Sequence, residues 1–137
     1  MTIYVFDTDH LSLYGRSHSS LIARLNSSQI SLVTTAVNAE EQVRGRLAQV
    51  SVAKDGSQLI AYQLFIETLE LLSDFQILSY SEQSYEIYQS LKAQKIRVGT
   101  QDLKIASIAM SHNAILLTRN LQDCEKIPGL VVQNWST

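Results

Sequence analysis

Five short apolar runs, at residues 3–6, 30–33, 75–78, 115–117 and 130–132, alternate with longer stretches of helical periodicity. A short apolar run bounded by polar turn residues reads as a buried strand. Strands alternating with helices imply βαβ units and a parallel sheet. Right-handed crossovers then carry the helices over both faces of that sheet. The 137 residues are 45% apolar and 18% charged, enough to bury a real core within one domain's worth of chain. No repeat, low-complexity tract or linker interrupts it, so residues 1–137 read as a single domain.

The helical segments follow from capping and periodicity. Residues 20–25 read as a short helix, preceded by a turn around 11–16. Thr35 can cap a helix over 36–49, because a threonine hydroxyl can satisfy an orphan amide of the first turn. Residues 57–73 carry a wide apolar stripe of Leu59, Ile60, Leu64, Ile66, Leu69, Leu71 and Leu72. Residues 48–56 read either as a loop or as a helix continuation, and the two helices could form a hairpin projecting from the sheet. The second of them is too apolar for a solvated helix. Burial within the monomer and a groove for a subunit or partner both account for it. Ser81 caps a segment over 82–94 and Thr100 one over 101–112. Tyr80, Tyr85 and Tyr88 suit core packing or a subunit interface. Pro128 and Gly129 mark a turn before the final strand.

Charge and cysteine usage set outer limits. A net charge of −2, from 13 acidic and 11 basic residues, gives no global pull toward nucleic acid or an anionic membrane. The single cysteine, Cys124, cannot form an internal disulfide, so a reducing compartment is expected. The opening decapeptide is too short and too acidic for a signal peptide. No apolar run approaches the ~20 residues of a membrane helix. A cytoplasmic protein without a membrane partner is the expectation.

Four acids then stand out, at strand ends or in early helical turns. Asp7 ends the first apolar run and is followed by Thr8. It reads as a metal ligand with Thr8 as a supporting hydroxyl, or as a carboxylate capping the next turn. Glu41 lies about two turns into the helix after the second strand, four residues before Gly45. A glycine on the same face lets something approach closely, although a glutamate here is most often simply solvated. Asp102 falls in a first helical turn, where the helix dipole favours a carboxylate by ~0.3–1 kcal/mol. Asp102, Ile105, Ala106 and Ala109 share a stripe that would pack that turn close to the strand edge. Asp123 follows the fourth strand, with Thr118 and Asn120 adding polar groups. In a parallel sheet all these acids discharge at one edge, where sites are built. An oxygen-rich cluster without a Cys–His ligand set suits Mg²⁺ or Mn²⁺ over Zn²⁺. His10, His18 and His112 are scattered and read as surface or capping residues.

The ordered motifs resemble a PIN-domain nuclease, specifically the VapC-type toxin ribonucleases of toxin–antitoxin pairs. The matching pieces are Val5-Phe6-Asp7-Thr8-Asp9, then Ser31-Leu32-Val33-Thr34 leading to Glu41-x-x-x-Gly45, then Asp102-Leu103-x-Ile105-Ala106. They continue with Leu117-Thr118-Arg119-Asn120-x-x-Asp123 and run from Ile127-Pro128-Gly129-Leu130 to Asn134-Trp135. The resemblance implies a three-layer α/β/α sandwich with a mostly parallel sheet of about five strands. It implies that Asp7, Glu41, Asp102 and Asp123 form a catalytic metal site for Mg²⁺ or Mn²⁺, supported by Thr8, Thr118 and Asn120. It implies a ribonuclease acting on RNA, a homodimer, and inhibition by a small cognate antitoxin. Gln101 stands where the family often has Asn, and Cys124 where an aromatic residue usually follows the acid. The second departure bears on how the Asp123 loop packs.

Arg44, Arg46, Arg97, Lys104 and Arg119 flank the acidic motifs and are candidates for the RNA backbone. Arg119 has candidate site residues on both sides. Two other readings compete. Asp7-Thr8-Asp9 also resembles the nucleophile strand of haloacid-dehalogenase phosphatases, but a Gly-Asp-x-x-x-Asp run is missing and Glu41 would have no role. A catalytically inactive domain that binds RNA or protein would use the acids only as caps.

Overall fold

The apolar runs pair edge to edge in the computed structural model, which describes residues 2–137. The strands β1 (Tyr4–Phe6), β2 (Val33–Thr35), β3 (Gln76–Leu78), β4 (Ile115–Leu117) and β5 (Val131–Gln133) form one sheet in the order β3-β2-β1-β4-β5. Every neighbouring pair is parallel. The register sets Val5 beside Val33 on one side and Leu116 on the other, and Phe6 beside Leu117. Seven helices connect and cover the strands: α1 (Thr8–Gly15), α2 (Ser19–Ser28), α3 (Ala36–Val52), α4 (Ser57–Ser73), α5 (Glu82–Ala93), α6 (Thr100–Ser111) and α7 (Leu121–Cys124).

Successive residues of a strand point to opposite faces, and the central strand shows both faces covered. Val5 joins a cluster with Val33, Ile105, Ile108, Ala109 and Leu116 under α6. Phe6 joins Leu11, Leu21, Leu72, Phe75, Leu117 and Trp135 under α1 and α2. This is the expected three-layer sandwich, with an all-parallel sheet.

Several local expectations are corrected. The turn expected around 11–16 is a full helix, α1, because Asp7 accepts the His10 amide at 2.8 Å and Leu11 and Leu13 are buried. The helix expected over 20–25 runs from Ser19 to Ser28. The second strand begins only at Val33 and extends through Thr34 and Thr35, both fully buried. Thr34 belongs there because its hydroxyl donates to the Phe6 carbonyl at 2.7 Å. Thr35 does cap α3, accepting the Asn38 amide at 3.1 Å. Helix α3 continues to Val52, leaving residues 53–56 as the loop into α4. Gly99, not Thr100, is the N-cap of α6. A short helix, α7, forms where only a loop was expected. The final strand lies one residue later than 130–132.

The hairpin of α3 and α4 also differs from the buried account. Leu59, Ile60, Tyr62, Ile66 and Leu69 are exposed, Leu59 by 77%. Only Ala61, Thr68 and Leu72 of α4 are buried. A side chain at Gly45 would meet nothing within 4 Å, so no close approach within the chain requires that glycine.

Thr35 joins strand, cap and site. Its hydroxyl accepts the Asn38 amide and donates to Asn38 Oδ1 at 2.7 Å, in a fully buried setting. Thr35→Val keeps the shape and orphans both partners. Unfolding free energy in urea should fall by about 2 kcal/mol; an unchanged midpoint would remove this cap from the account of the fold.

Candidate active site

A parallel sheet presents all its strand C-termini at one edge, and here the acidic motifs follow from that. Asp7 comes directly after β1 and Thr118 directly after β4. Helix α3 leaves β2 at the same edge and carries Glu41. Helix α6 packs on α3, β2 and β4 and runs back toward the start of β4. Its first turn, with Asp102, therefore stands at the strand C-termini. Helix α7 adds Asp123.

Local hydrogen bonds orient three of the four carboxylates. Asp7 Oδ1 accepts the His10 amide at 2.8 Å and lies 3.2 Å from His10 Nδ1. Glu41 is reached by a chain of donors that begins in the core. Thr35 donates to Asn38 Oδ1, Asn38 Nδ2 donates to Thr8 Oγ1 at 3.1 Å, and Thr8 Oγ1 donates to Glu41 Oε1 at 2.8 Å. Gln42 Nε2 adds bonds to the Thr8 carbonyl and Ser12 Oγ, each at 3.1 Å. Asp123 accepts from Asn120 Nδ2 at 3.2 Å and pairs with Lys126 Nζ at 3.2 Å. Thr118, buried, accepts the Asn120 amide at 3.0 Å and so shapes the turn that presents Asn120.

The electrostatics separate these acids. The hydrogen bond from Asn120, then Lys126, lowers the Asp123 carboxyl below its ordinary range. Burial raises Asp102, and the charges of Glu41, Asp123, Asp7 and Asp9 raise it further. Asp102 thus senses the other three carboxylates. Beneath them, burial pushes the Cys124 thiol up to about 11, with Asp102 and Asp7 adding to the effect. It is a core side chain packed with Val33, Ile105 and Leu116, so the loop of Asp123 is anchored without an aromatic residue.

Among the described residues, no three His, Cys, Asp or Glu side chains close on a point that could hold a metal ion as they stand. Asp7, Glu41 and Asp123 each have an oxygen engaged by a local donor. The donor chemistry still fits a hard divalent cation, since the set is oxygen-only and Asp102 is a partly buried carboxyl destabilised by like charge. A bound cation would reverse that penalty.

The candidate cations are placed less favourably. Arg44 forms an exposed ion pair with Glu40, Nη2 to Oε1 at 2.6 Å. Lys104 lies about 6 Å from the rings of Tyr80 and Tyr88. Arg46 donates to Thr68 Oγ1 at 3.0 Å and ties α3 to α4. Arg119 is exposed on the turn beside Asn120. A cleft of about 1080 Å³ opens between α1, α3 and α4, lined by Asp9, Ser12, Gln42 and Arg46 among others.

Sequence reading missed Asn38, Gln42, Lys126 and His10. Asn38 carried a signal, an amide in the first turn of a helix where an apolar residue would pack. His10, expected at the surface or as a cap, is fully buried. His18 does act as a cap, its Nδ1 accepting the Leu21 amide at 3.5 Å.

Residues 4–128 match the PIN domain family. Ribonuclease VapC1 of Haemophilus influenzae strain R2866 is 30% identical over 98% of both chains. Ribonuclease VapC2 of Rickettsia felis is 34% identical over 47% of this chain and 51% of its own, so that alignment spans about half of each. The solved structure of VapBC2 from Rickettsia felis, bound to a DNA fragment from its promoter, superposes with a TM-score of 0.78 at 25% identity, covering 98% of this chain and 99% of the other.

The raised Asp102 carboxyl gives a test of the like-charge account. A carboxyl raised in the folded state favours the protonated form there. Its stabilising contribution is full below the unfolded value and lost as pH rises through the folded one. At neutral pH the metal-free protein therefore carries a repulsion that Asp102→Asn removes. Its thermal midpoint should rise on the order of a few degrees, and the gain should vanish once the pH falls below the carboxylate range. A destabilised variant at neutral pH would contradict the account.

Proposed function

Because this chain belongs to the PIN domain family and aligns end to end with a VapC ribonuclease, we propose that it is a metal-dependent endoribonuclease, the toxin of a VapBC-type pair. The observation that carries the reading is the sheet topology, which sends Asp7, Glu41, Asp102 and Asp123 toward one edge of a parallel sheet, with Asp102 raised by burial and then by the charges of the other acids. The proposed substrate is RNA, cut at a phosphodiester bond. The phosphatase reading leaves Glu41 and its donor chain without a task.

In this mechanism Asp7, Glu41, Asp102 and Asp123 hold Mg²⁺ or Mn²⁺. When bound, such an ion supplies Lewis acidity toward water and phosphate oxygens and neutralises developing charge. The chain's own residues orient the ligands. Thr8 holds Glu41 by one oxygen and is itself fixed by Asn38. Asn120 and Lys126 hold Asp123. Arg119, exposed beside Asn120, is the candidate for a phosphate of the RNA. Arg44 and Lys104 are weaker candidates, given the ion pair to Glu40 and the tyrosine rings.

A small antitoxin is the proposed partner. The exposed apolar residues of the hairpin support this, since Leu47, Leu59, Ile60, Ile66 and Leu69 leave apolar surface on both helices, which helix-in-groove contacts can cover. A homodimer belongs to the same reading. No helix among the described residues is long and apolar enough to cross a membrane, and a cytoplasmic location is proposed with the RNA substrate.

Asp7→Asn keeps a side-chain oxygen for the His10 amide, since Asn caps helices as well as Asp. It removes one ligand charge. Cleavage of total RNA in Mg²⁺ or Mn²⁺ should fall by more than about 10²-fold, at least the scale set by groups that only orient metal ligands. EDTA should abolish it. Cleavage that persists in the variant would sink the site assignment.

A further inference from the structure

We infer that His10 is a positioning residue for Asp7, and that the backbone of Trp135 fixes which ring nitrogen carries its proton. The inference rests on the metal-site reading above and adds how one of its ligands is held. His10 is 0% exposed, so both ring nitrogens need partners inside the protein. The backbone N–H of Trp135 lies 3.2 Å from His10 Nε2. A backbone amide can only donate, so Nε2 accepts. The ring proton of that tautomer is then on Nδ1, which donates to Asp7 Oδ1 across 3.2 Å.

Capping alone does not need this bond. The backbone N–H of His10 already satisfies the cap, reaching the same Oδ1 at 2.8 Å. The ring adds a second donor to one oxygen. Both bonds fall on Oδ1 and fix the plane of the carboxylate, which leaves Oδ2 as the oxygen for a cation. Ligating carboxylates held in this way keep their orientation when the cation arrives.

The far end of the relay is rigid as well. Trp135 is 2% exposed, its ring lies 5.0 Å from Tyr4, and the Arg24 guanidinium sits 4.6 Å over it. Its indole N–H donates to Gln133 Oε1 at 2.8 Å. The segment after β5 thus ends against the residue that aims Asp7, which assigns it a task beyond closing the core.

Two substitutions split the roles. The side-chain amide nitrogen of His10→Asn overlays Nδ1 and can donate to Asp7, while the Trp135 amide loses its partner. The side-chain oxygen of His10→Gln can take the Trp135 amide, but nothing replaces Nδ1. Calorimetry with Mn²⁺ should show affinity lowered about 10–100-fold in His10→Gln and within roughly threefold of wild type in His10→Asn, whatever either does to the thermal midpoint. In addition, the imidazole nitrogen spectrum of wild-type protein labelled with ¹⁵N-histidine should show His10 protonated on Nδ1, with that resonance moving on saturation with Mg²⁺. An Nε2-protonated ring, a resonance unmoved by bound Mg²⁺, or wild-type Mn²⁺ affinity in a folded His10→Gln overturns the inference. A wild-type protein that binds neither ion fails earlier and differently: it overturns the metal reading and this inference with it.

Discussion

Carboxylates delivered to one edge of a parallel sheet repel one another, and the order β3-β2-β1-β4-β5 leaves little freedom over where they meet. Asp7 has no spacer after the central strand, and α6 must start at that edge to lead into β4. The structure meets the repulsion acid by acid. Asp7 is turned to His10, Glu41 to Thr8, and Asp123 to Asn120 and Lys126. Asp102 alone has no such donor, and its carboxyl is the one raised by its surroundings. Natural sites often retain such strain where chemistry needs it.

The buried polar groups around this edge are costly unless satisfied. Thr34, Thr35, Asn38 and Thr118 are all essentially buried, and each finds a partner. The result is a hydrogen-bonded floor under the carboxylates. Hydroxyls and one amide, whose charge does not change, connect the core of β2 to Glu41. Such a chain transmits orientation without adding charge to a site already rich in it.

What the sequence revealed follows from how local each signal is. Strand and helix alternation is read from periodicity within one segment, so the parallel sandwich and most helices were visible. Asp7, Asp102 and Asp123 were visible because each follows an apolar run or a helix start, whereas Glu41, well inside α3, stood out only through the ordered motifs. Thr35 was legible as a cap because capping involves residues only three apart. His10 was not, because its meaning depends on Trp135, far along the chain. Lys126 was missed although its partner Asp123 is only three residues away, since α7 itself was not foreseen. The exposure of α4 was also hidden, because an apolar stripe looks the same whether it faces a core or a partner.

The placement of the cations carries the last step. Arg44 is occupied by Glu40 and Lys126 by Asp123, and the chain as a whole is negative. A polyanion approaching the four carboxylates therefore meets like charge, with Arg119 an exposed cation beside Asn120. On the proposed reading the divalent ion does more than activate water. It offsets part of the carboxylates' charge and offers phosphate oxygens a direct partner, so occupancy by the ion and capture of RNA are thermodynamically linked. Each should strengthen the other by the same factor, because the ion lowers the repulsion that the carboxylates impose on the phosphates and binding linkage is reciprocal.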